Sequence, residues 1–93
     1  MLEKFKLYLI SRGYKEFTPS GLPSTVYDYC KRLNFVMEME NYSSISDIVN
    51  NIGKLIIDYG PYGCKSKLGA KSHNSVISSL RRFKEFIYEF NSK

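Results

Sequence analysis

The chain has 93 residues, 43% of them hydrophobic, which is enough for one small globular domain with a single core and excludes general disorder. Fourteen Lys and Arg residues against nine Asp and Glu residues give a net charge of +5, a value that solubility alone can explain. The excess is local, because residues 1–45 carry six positive and five negative side chains whereas residues 46–93 carry eight and four. The second half of the chain is therefore the candidate region for binding an acidic partner.

A first amphipathic helix is predicted over residues 2–12, and a loop follows it. Four positions at helical spacing form its stripe: Leu2, Phe5, Leu9 and Arg12. Gly13 suits the left-handed conformation that commonly ends a helix, and residues 14–22 contain the Thr, Pro, Ser and Gly residues that favour a loop. The segment has no long apolar run, so it is neither a signal peptide nor a membrane span, and we expect a cytoplasmic protein.

Two further helices are predicted, one from residue 23 or 24 to residue 40 and one over residues 46–58. Pro23 and Ser24 are residue types that open helices. The second helix has apolar positions spaced at four, three and four residues: Val26, Cys30, Leu33 and Met37. The third has the cleanest periodicity in the chain: Ile45, Ile48, Val49, Ile52, Ile56 and Tyr59. Both stripes are expected to face the core.

Residues 60–71, with the sequence GPYGCKSKLGAK, are predicted to form a glycine-rich loop that carries lysines. Between Gly60 and Lys84 there are six Lys or Arg residues and no Asp or Glu. Loop cations and the unpaired backbone N–H groups at a helix start can both bind phosphate. Nucleic acid is therefore the first partner that the sequence suggests.

A fourth helix is predicted to begin near residue 72. Its apolar stripe has strict helical spacing: Val76, Leu80, Phe83, Ile87 and Phe90. The other side carries small and cationic residues: Lys71, Asn74, Ser75, Ser78, Arg81 and Arg82. Small side chains let a phosphate backbone come close, and Arg can then reach a base edge or a second phosphate. No segment alternates with period two, so the prediction is one all-α domain over residues 1–93.

Catalytic and metal-binding patterns are absent from the sequence. There is a single histidine, His73, and no catalytic triad, P-loop, HExxH motif or acidic pair with a site context. Cys30 and Cys64 lack metal-ligand spacing; we expect the first to be buried and the second exposed. We therefore expect no enzymatic activity, cofactor, metal or small-molecule substrate. His73 is interpreted either as a phosphate contact or as an ordinary surface histidine.

The basic residues have two interpretations. Three of them form either a DNA-facing patch or the solvated face of an amphipathic helix: Arg81, Arg82 and Lys84. Three loop lysines favour the patch: Lys65, Lys67 and Lys71. Phe35 lies opposite the stripe of its helix, and it either packs against the first helix or belongs to a protein-contact surface. The eight tyrosines lack the pattern of an RNA-recognition sheet.

Four segments in order resemble a known family. They are RG at residues 12–13, PSTVYDYCKRL at 23–33, SISDI at 44–48 and SHNSVISSLRRFKEFIYE at 72–89. Together they resemble the SAM-like core-binding domain of phage integrases and other tyrosine recombinases, and the resemblance covers nearly the whole chain. Its most specific positions lie in the second and fourth helices: Ser24, Thr25, Tyr29, Leu33, Leu80, Arg81, Phe83 and Phe86. The resemblance implies a compact four-helix bundle that clamps DNA.

The resemblance also implies which residues contact double-stranded DNA, namely those at the starts of the second and fourth helices. On this chain they are Ser24, Thr25, Lys31, Arg32, Lys71, Ser72, His73, Ser75, Ser78, Arg81 and Arg82. The basic loop adds Lys65 and Lys67. The Arg, His and Tyr constellation of the recombinase catalytic domain is missing. The chain is therefore expected to belong to, or to assist, a recombinase or nuclease that performs any chemistry.

Two functions remain open from the sequence. The first is non-catalytic binding of double-stranded DNA, mainly through backbone phosphates. The second is a protein-interaction module, such as an adaptor or inhibitor from a mobile element, that uses Phe35, Tyr62 or the basic surface to bind an acidic partner.

Overall fold

The computed structural model describes residues 1–91, and its regular elements are all helices. In chain order they are α1 Leu2–Ser11, α2 Thr25–Met39, α3 Ile45–Asn50, α4 Ile52–Tyr59, α5 Ser66–Gly69 and α6 Lys71–Asn91. The described residues contain no β-strand, only an isolated bridge between Phe17 and Pro23. The prediction of an all-α fold is confirmed.

Helices α1 and α2 begin and end close to the predicted residues. Gly13 follows α1 with φ of +92°, a conformation that glycine adopts without steric cost. Ser24 precedes α2 with extended backbone angles, and the N–H of Val26 donates to the Lys15 carbonyl at 3.1 Å. The loop before α2 is therefore tied to the first turn of the helix. The expected boundaries follow from the local residue types.

The predicted third helix is divided in two at Asn51. Helix α3 starts at a capping box in which Asp47 Oδ2 accepts the backbone N–H groups of Ser43, at 3.1 Å, and Ser44, at 3.4 Å. Asn51 then leaves helical geometry with φ of −119° and ψ of 16°, and its side-chain amide donates to the Asp47 carbonyl at 2.8 Å. Because an Asn side chain can replace a backbone hydrogen bond, it ends α3 and lets α4 begin at Ile52.

The start of α6 also departs from the prediction. Ser72, His73 and Asn74 have φ of 55°, 58° and 67°, which is the left-handed region. Each non-glycine residue in that region costs roughly 1 to 2 kcal/mol, although short polar residues tolerate it best. Regular helical geometry therefore begins after Asn74, about one turn later than the predicted start.

The core lies between α6 and the helices around it, chiefly α2 and α4. Thirteen apolar side chains are buried there: Phe5, Leu9, Val26, Leu33, Val36, Ile48, Leu55, Tyr59, Val76, Ile77, Leu80, Phe83 and Phe86. Phe5 and Phe83 meet edge to face with ring centroids 5.1 Å apart, a favourable aromatic geometry. The predicted α6 stripe is buried at Val76, Leu80 and Phe83, but Phe90 is exposed. The buried face of α6 therefore packs mainly on α2 and α4, and Phe5 of α1 reaches it at Phe83.

Helices α2 and α6 pack in opposite directions. At the start of α6, Lys71 Nζ lies 4.6 Å from the ring centroid of Phe35, near the end of α2. Further along α6, Arg82 donates to the Tyr14 hydroxyl, and the Tyr14 ring lies 5.8 Å from Tyr29 in the first half of α2. The starts of the two helices thus lie at opposite ends of the pair. About 15 Å of helix separates Thr25 from Phe35.

Candidate nucleic-acid interface

The glycines of residues 60–70 serve close packing. A Cβ at Gly63 would lie 2.1 Å from the Ile57 carbonyl oxygen, and one at Gly69 would lie 1.7 Å from the Tyr59 carbonyl oxygen. Both distances are far below van der Waals contact, so no larger residue fits without moving backbone. The loop and α5 are docked on the end of α4 at these two points. The glycines therefore fix where the loop lysines stand.

Lys65 is held inside a small polar network. Its ammonium pairs with Glu40 at the end of α2, and the Tyr59 hydroxyl donates to Glu40 Oε2 at 2.9 Å. The Glu40 side chain is 8% exposed. Burial by itself raises the pKa of the Glu40 carboxyl, but the hydrogen bonds from Lys65 and Tyr59 outweigh it and leave that pKa below its usual value. Lys65 therefore joins the loop to α2 instead of facing outward.

Lys71 and Phe35 also have structural contacts. Phe35 is half-buried and packs on the core, with the Lys71 ammonium over its ring. A cation in this position gains about 0.5 to 1 kcal/mol at an exposed site. Phe35 therefore packs on the core, but the side chain that covers its ring belongs to α6 and not to the first helix, as the sequence interpretation had it. Of the three predicted loop cations, it leaves only Lys67 exposed without an ion pair or ring contact among residues 1–91.

On α6, Arg81 and Arg82 have different surroundings. Arg82 pairs with Glu85 at 2.9 Å, donates to the Tyr14 hydroxyl at 3.3 Å and keeps a buried Nε without a partner. Arg81 is exposed and makes no ion pair within the described chain. Lys84 is likewise exposed and unpaired there. Of these three α6 cations, Arg81 and Lys84 are therefore the two that can neutralise an external anion.

Two surface depressions run along the outward side of α6 and share Arg81. The first, which we call the loop-side depression, has a volume of about 470 Å³ and is lined by Tyr59, Pro61, Ser66, Lys67, Ala70, Asn74, Ile77, Ser78 and Arg81. The second, the tyrosine–arginine cleft, has a volume of about 730 Å³ and is lined by Tyr8, Arg12, Tyr14, Ile56, Arg81, Arg82, Lys84, Glu85, Tyr88 and Glu89. Together they form one basic surface that spans α5 and α6. We call it the α5–α6 side.

Among the predicted residues of the α6 start, Ser78 lines the loop-side depression. Ser75 donates its hydroxyl to the Ser72 carbonyl at 2.7 Å and so supports the turn before the regular helix. Ser72 and His73 are exposed in the left-handed turn. The predicted helix N-terminus for phosphate is therefore replaced by an irregular turn, in which the Asn74 N–H already donates to the Ala70 carbonyl.

The predicted residues at the start of α2 lie apart from this surface. Ser24 and Lys31 line a separate depression together with Asp28, and it shares no residue with the two along α6. Arg32 pairs with Asp28 at 3.2 Å. Thr25 opens the helix and is half-buried. This region thus offers one unpaired cation, Lys31, next to a carboxylate.

Sequence reasoning found Arg81, Arg82 and Lys84 of the tyrosine–arginine cleft but not its tyrosines or Arg12. Arg12 pairs with Glu89 and lies 5.3 Å from the Tyr8 ring centroid, although it was predicted to belong to the α1 stripe. Tyr88 is 77% exposed on the outward side of α6. Its position seven residues after Arg81, which places both on one helix face, was the available signal. The ion pair between Arg12 and Glu89 joins residues from the two ends of the chain, so no local sequence pattern indicates it.

The described residues offer neither a metal site nor a membrane-spanning helix. Within residues 1–91 no three His, Cys, Asp or Glu side chains are grouped so that they could hold a metal ion. None of the helices described is long and apolar enough to cross a membrane. Cys64 is exposed as expected, whereas Cys30 is half-buried, and burial raises the pKa of its thiol.

Comparison with known proteins gave no match. No family model matched the chain, and neither a curated protein nor a solved structure was significantly similar to it. The resemblance to integrase core-binding domains therefore stays a prediction from sequence, and the geometry of the α5–α6 side is the physical basis for a function.

Proposed function

We propose that this chain is a non-catalytic module that binds double-stranded DNA through backbone phosphates on its α5–α6 side. The observation that carries the proposal is the placement of three exposed cations, Lys67, Arg81 and Lys84, around two depressions that meet at Arg81. None of the three makes an ion pair within residues 1–91. When cations without an internal partner contact phosphates, they displace counterions that are condensed on the DNA. The release of these counterions drives association.

The dimensions of the surface suit one DNA strand. The two depressions follow α6 from Asn74 to Tyr88, a helical rise of about 21 Å. Phosphates of one strand are spaced about 3.4 Å along the duplex axis, so about six of them pass over this length. Ser78 is small enough to let the backbone approach. Three free cations would then contact some of these six phosphates, and such contacts do not depend on the base sequence.

The resemblance to integrase core-binding domains supports the same function and adds a partner. Under this proposal the chain grips DNA, and a recombinase or nuclease domain or protein performs any cutting or joining. The resemblance implies DNA contacts at the starts of the second and fourth helices, whereas here the main DNA contact lies on α5 and α6. The start of α2 becomes a minor contributor, because Arg32 is paired with Asp28 and Lys31 lies beside the same carboxylate.

The proposal is tested by fluorescence anisotropy with a labelled duplex over a range of salt concentrations. Three phosphate contacts predict a slope of log K against log salt of about −3. Several duplexes of unrelated sequence should bind with similar affinity, since phosphates carry no sequence information. Absence of binding at low salt, or binding that does not change with salt, would contradict the proposal.

A second candidate function is a protein-interaction module, favoured by exposed apolar side chains near the end of α4. Tyr62 is fully exposed, and Ile57 is 71% exposed. Exposed aromatic side chains are typical anchors of protein contacts. Charge reversal at Lys67 and Arg81 separates the two functions, because it removes phosphate contacts but leaves a partner bound at Tyr62 in place. Lys65 and Arg82 are unsuitable for this test, since each already pairs with a glutamate.

A further inference from the structure

The tyrosine–arginine cleft has features that a duplex backbone does not need. Its volume of about 730 Å³ lies in the range of small-molecule sites. One wall carries Tyr88, whose ring is largely exposed, whereas Tyr8 stacks under Arg12 and Tyr14 packs beside Tyr29. The cleft thus presents one free aromatic face. An aromatic face binds planar groups, and a nucleobase inside a paired duplex cannot reach it.

The charges of the cleft select among planar ligands. Its lining has four cations and two carboxylates, and both carboxylates are paired, Glu85 with Arg82 and Glu89 with Arg12. Arg81 and Lys84 remain to hold an anion beside the Tyr88 ring. Glu85 contacts Arg82 through Oε2, while its Oε1 makes no hydrogen bond among the described residues. That oxygen can accept a hydrogen bond from an amino group of a ligand.

We propose that the tyrosine–arginine cleft binds an unpaired nucleotide, with its base on the Tyr88 ring and its phosphate at Arg81 and Lys84. The exocyclic amino group of adenine, cytosine or guanine lies toward Glu85. An acidic peptide fits less well, because its carboxylate side chains have no aromatic ring that could stack on Tyr88. Arg81 also lines the loop-side depression, so an unpaired nucleotide can be part of a strand that continues along the α5–α6 side.

A mononucleotide tests the cleft without any duplex, and so independently of the function proposed above. Adenosine monophosphate, adenosine and inorganic phosphate are titrated separately into ¹⁵N- and ring-labelled protein, and shifts are followed by NMR. The expected result is saturable movement of the Tyr88 ring signals by adenosine monophosphate, with at least about five-fold tighter binding than phosphate, as base stacking predicts. Equal affinities for adenosine monophosphate and phosphate, or no movement at Tyr88, would overturn the proposal.

A second experiment asks whether the nucleotide can come from a nucleic-acid strand. Anisotropy compares a duplex carrying one unpaired adenosine with the same duplex fully paired. Wild-type protein should prefer the unpaired adenosine by about five-fold or more. Tyr88→Ala should remove that preference, because the Tyr88 ring supplies the stacking face for the unpaired base. Tyr62→Ala, another exposed tyrosine outside the cleft, should keep the preference.

The outcomes separate the two proposals. If paired duplex fails to bind but adenosine monophosphate shifts Tyr88, the duplex proposal falls and the nucleotide site stands. If duplex binds without preference for the unpaired adenosine and adenosine monophosphate binds no better than phosphate, the nucleotide site is refuted and duplex binding stands. A preference that survives Tyr88→Ala would also refute the cleft as the site.

Discussion

The start of α2 and the α5–α6 side carry similar numbers of predicted DNA contacts but differ in how their charges are used. At the start of α2, Arg32 pairs with Asp28 four residues earlier, and Lys31 stands next to the same carboxylate. On the α5–α6 side, Lys67, Arg81 and Lys84 make no internal ion pair within residues 1–91. A basic side chain is therefore available to an external anion only where the fold gives it no internal partner.

The two regions also differ in how they are held. The α2 start is joined to α1 and to the loop after it through Tyr27, whose hydroxyl accepts from Lys6 at 3.1 Å and donates to Glu16 at 3.0 Å. The α5–α6 side depends on a docked loop. Lys67 keeps its place because Gly69 packs on the Tyr59 carbonyl and Lys65 pairs with Glu40. Damage to that docking should therefore affect the α5–α6 side and leave the α2 start intact.

The largest expected effect is that of Gly69→Ala. The new methyl group would lie 1.7 Å from the Tyr59 carbonyl oxygen, so the backbone must move and the free energy of unfolding should fall by about 2 to 3 kcal/mol. Gly53→Ala is the matched control, because a Cβ there has no neighbour within 4 Å and an alanine favours the helix by up to about 1 kcal/mol. Urea denaturation measures both; equal stabilities would contradict the docked loop.

Glu40→Gln should have the next largest effect. The change leaves Lys65 without its carboxylate and weakens the bond from Tyr59, so the free energy of unfolding should fall by about 1 to 3 kcal/mol. Tyr59→Phe removes only the hydroxyl and should cost less, about 1 kcal/mol. Both values come from urea denaturation at neutral pH. A Glu40→Gln protein as stable as the wild type would show that the network does not hold the loop.

The same network predicts a dependence on pH. The pKa of Glu40 is lower in the folded protein than in the unfolded chain, where it is about 4.3. The stabilisation from Glu40 is therefore complete above the pKa that its carboxyl has in the unfolded chain. It is lost as the pH falls through the lower pKa that the carboxyl has in the folded protein. The difference in unfolding free energy between wild type and Glu40→Gln should shrink between about pH 5 and about pH 3. A constant difference over that interval would contradict the assignment.

The smallest expected effect is a change in the salt dependence of DNA affinity when a single cation is replaced by an uncharged side chain. Arg81→Gln should reduce the steepness of log K against log salt by about 1, because it removes one phosphate contact. Lys31→Gln should leave the slope unchanged within error, since Lys31 lies outside the α5–α6 side. Anisotropy titrations with one duplex give both slopes. An equal loss of slope in the two proteins would restore the start of α2 as a second DNA contact.

Local sequence patterns predicted much of this fold. They could not predict contacts between side chains that are far apart in the sequence. The helix bounds of α1 and α2 and the buried positions Val76, Leu80 and Phe83 follow from periodicity and end residues. The break at Asn51 was missed because the apolar stripe continues through it. Local residue types carry no sign of the pairing between Lys65 and Glu40, which are 25 residues apart in sequence.

The candidate site shows the same division. Arg81 was predicted from its place on the polar face of α6, and it lies at the junction of the two depressions. Lys71 was predicted on the same grounds, but it stands over the Phe35 ring. Helical projection gives the direction of a side chain. It does not give the neighbour from another helix, which decides whether a cation is free.

Two double charge reversals with the same change in net charge show whether the α5–α6 side binds duplex DNA. Lys67→Glu with Arg81→Glu alters the α5–α6 side, and Lys15→Glu with Lys31→Glu alters two exposed lysines outside it. Duplex affinity is measured by anisotropy at about 0.1 M salt, where charges more than about 10 Å away are screened. We expect the first protein to lose at least about ten-fold in affinity and the second less than about three-fold. Equal losses, or a larger loss in the second protein, would contradict the claim.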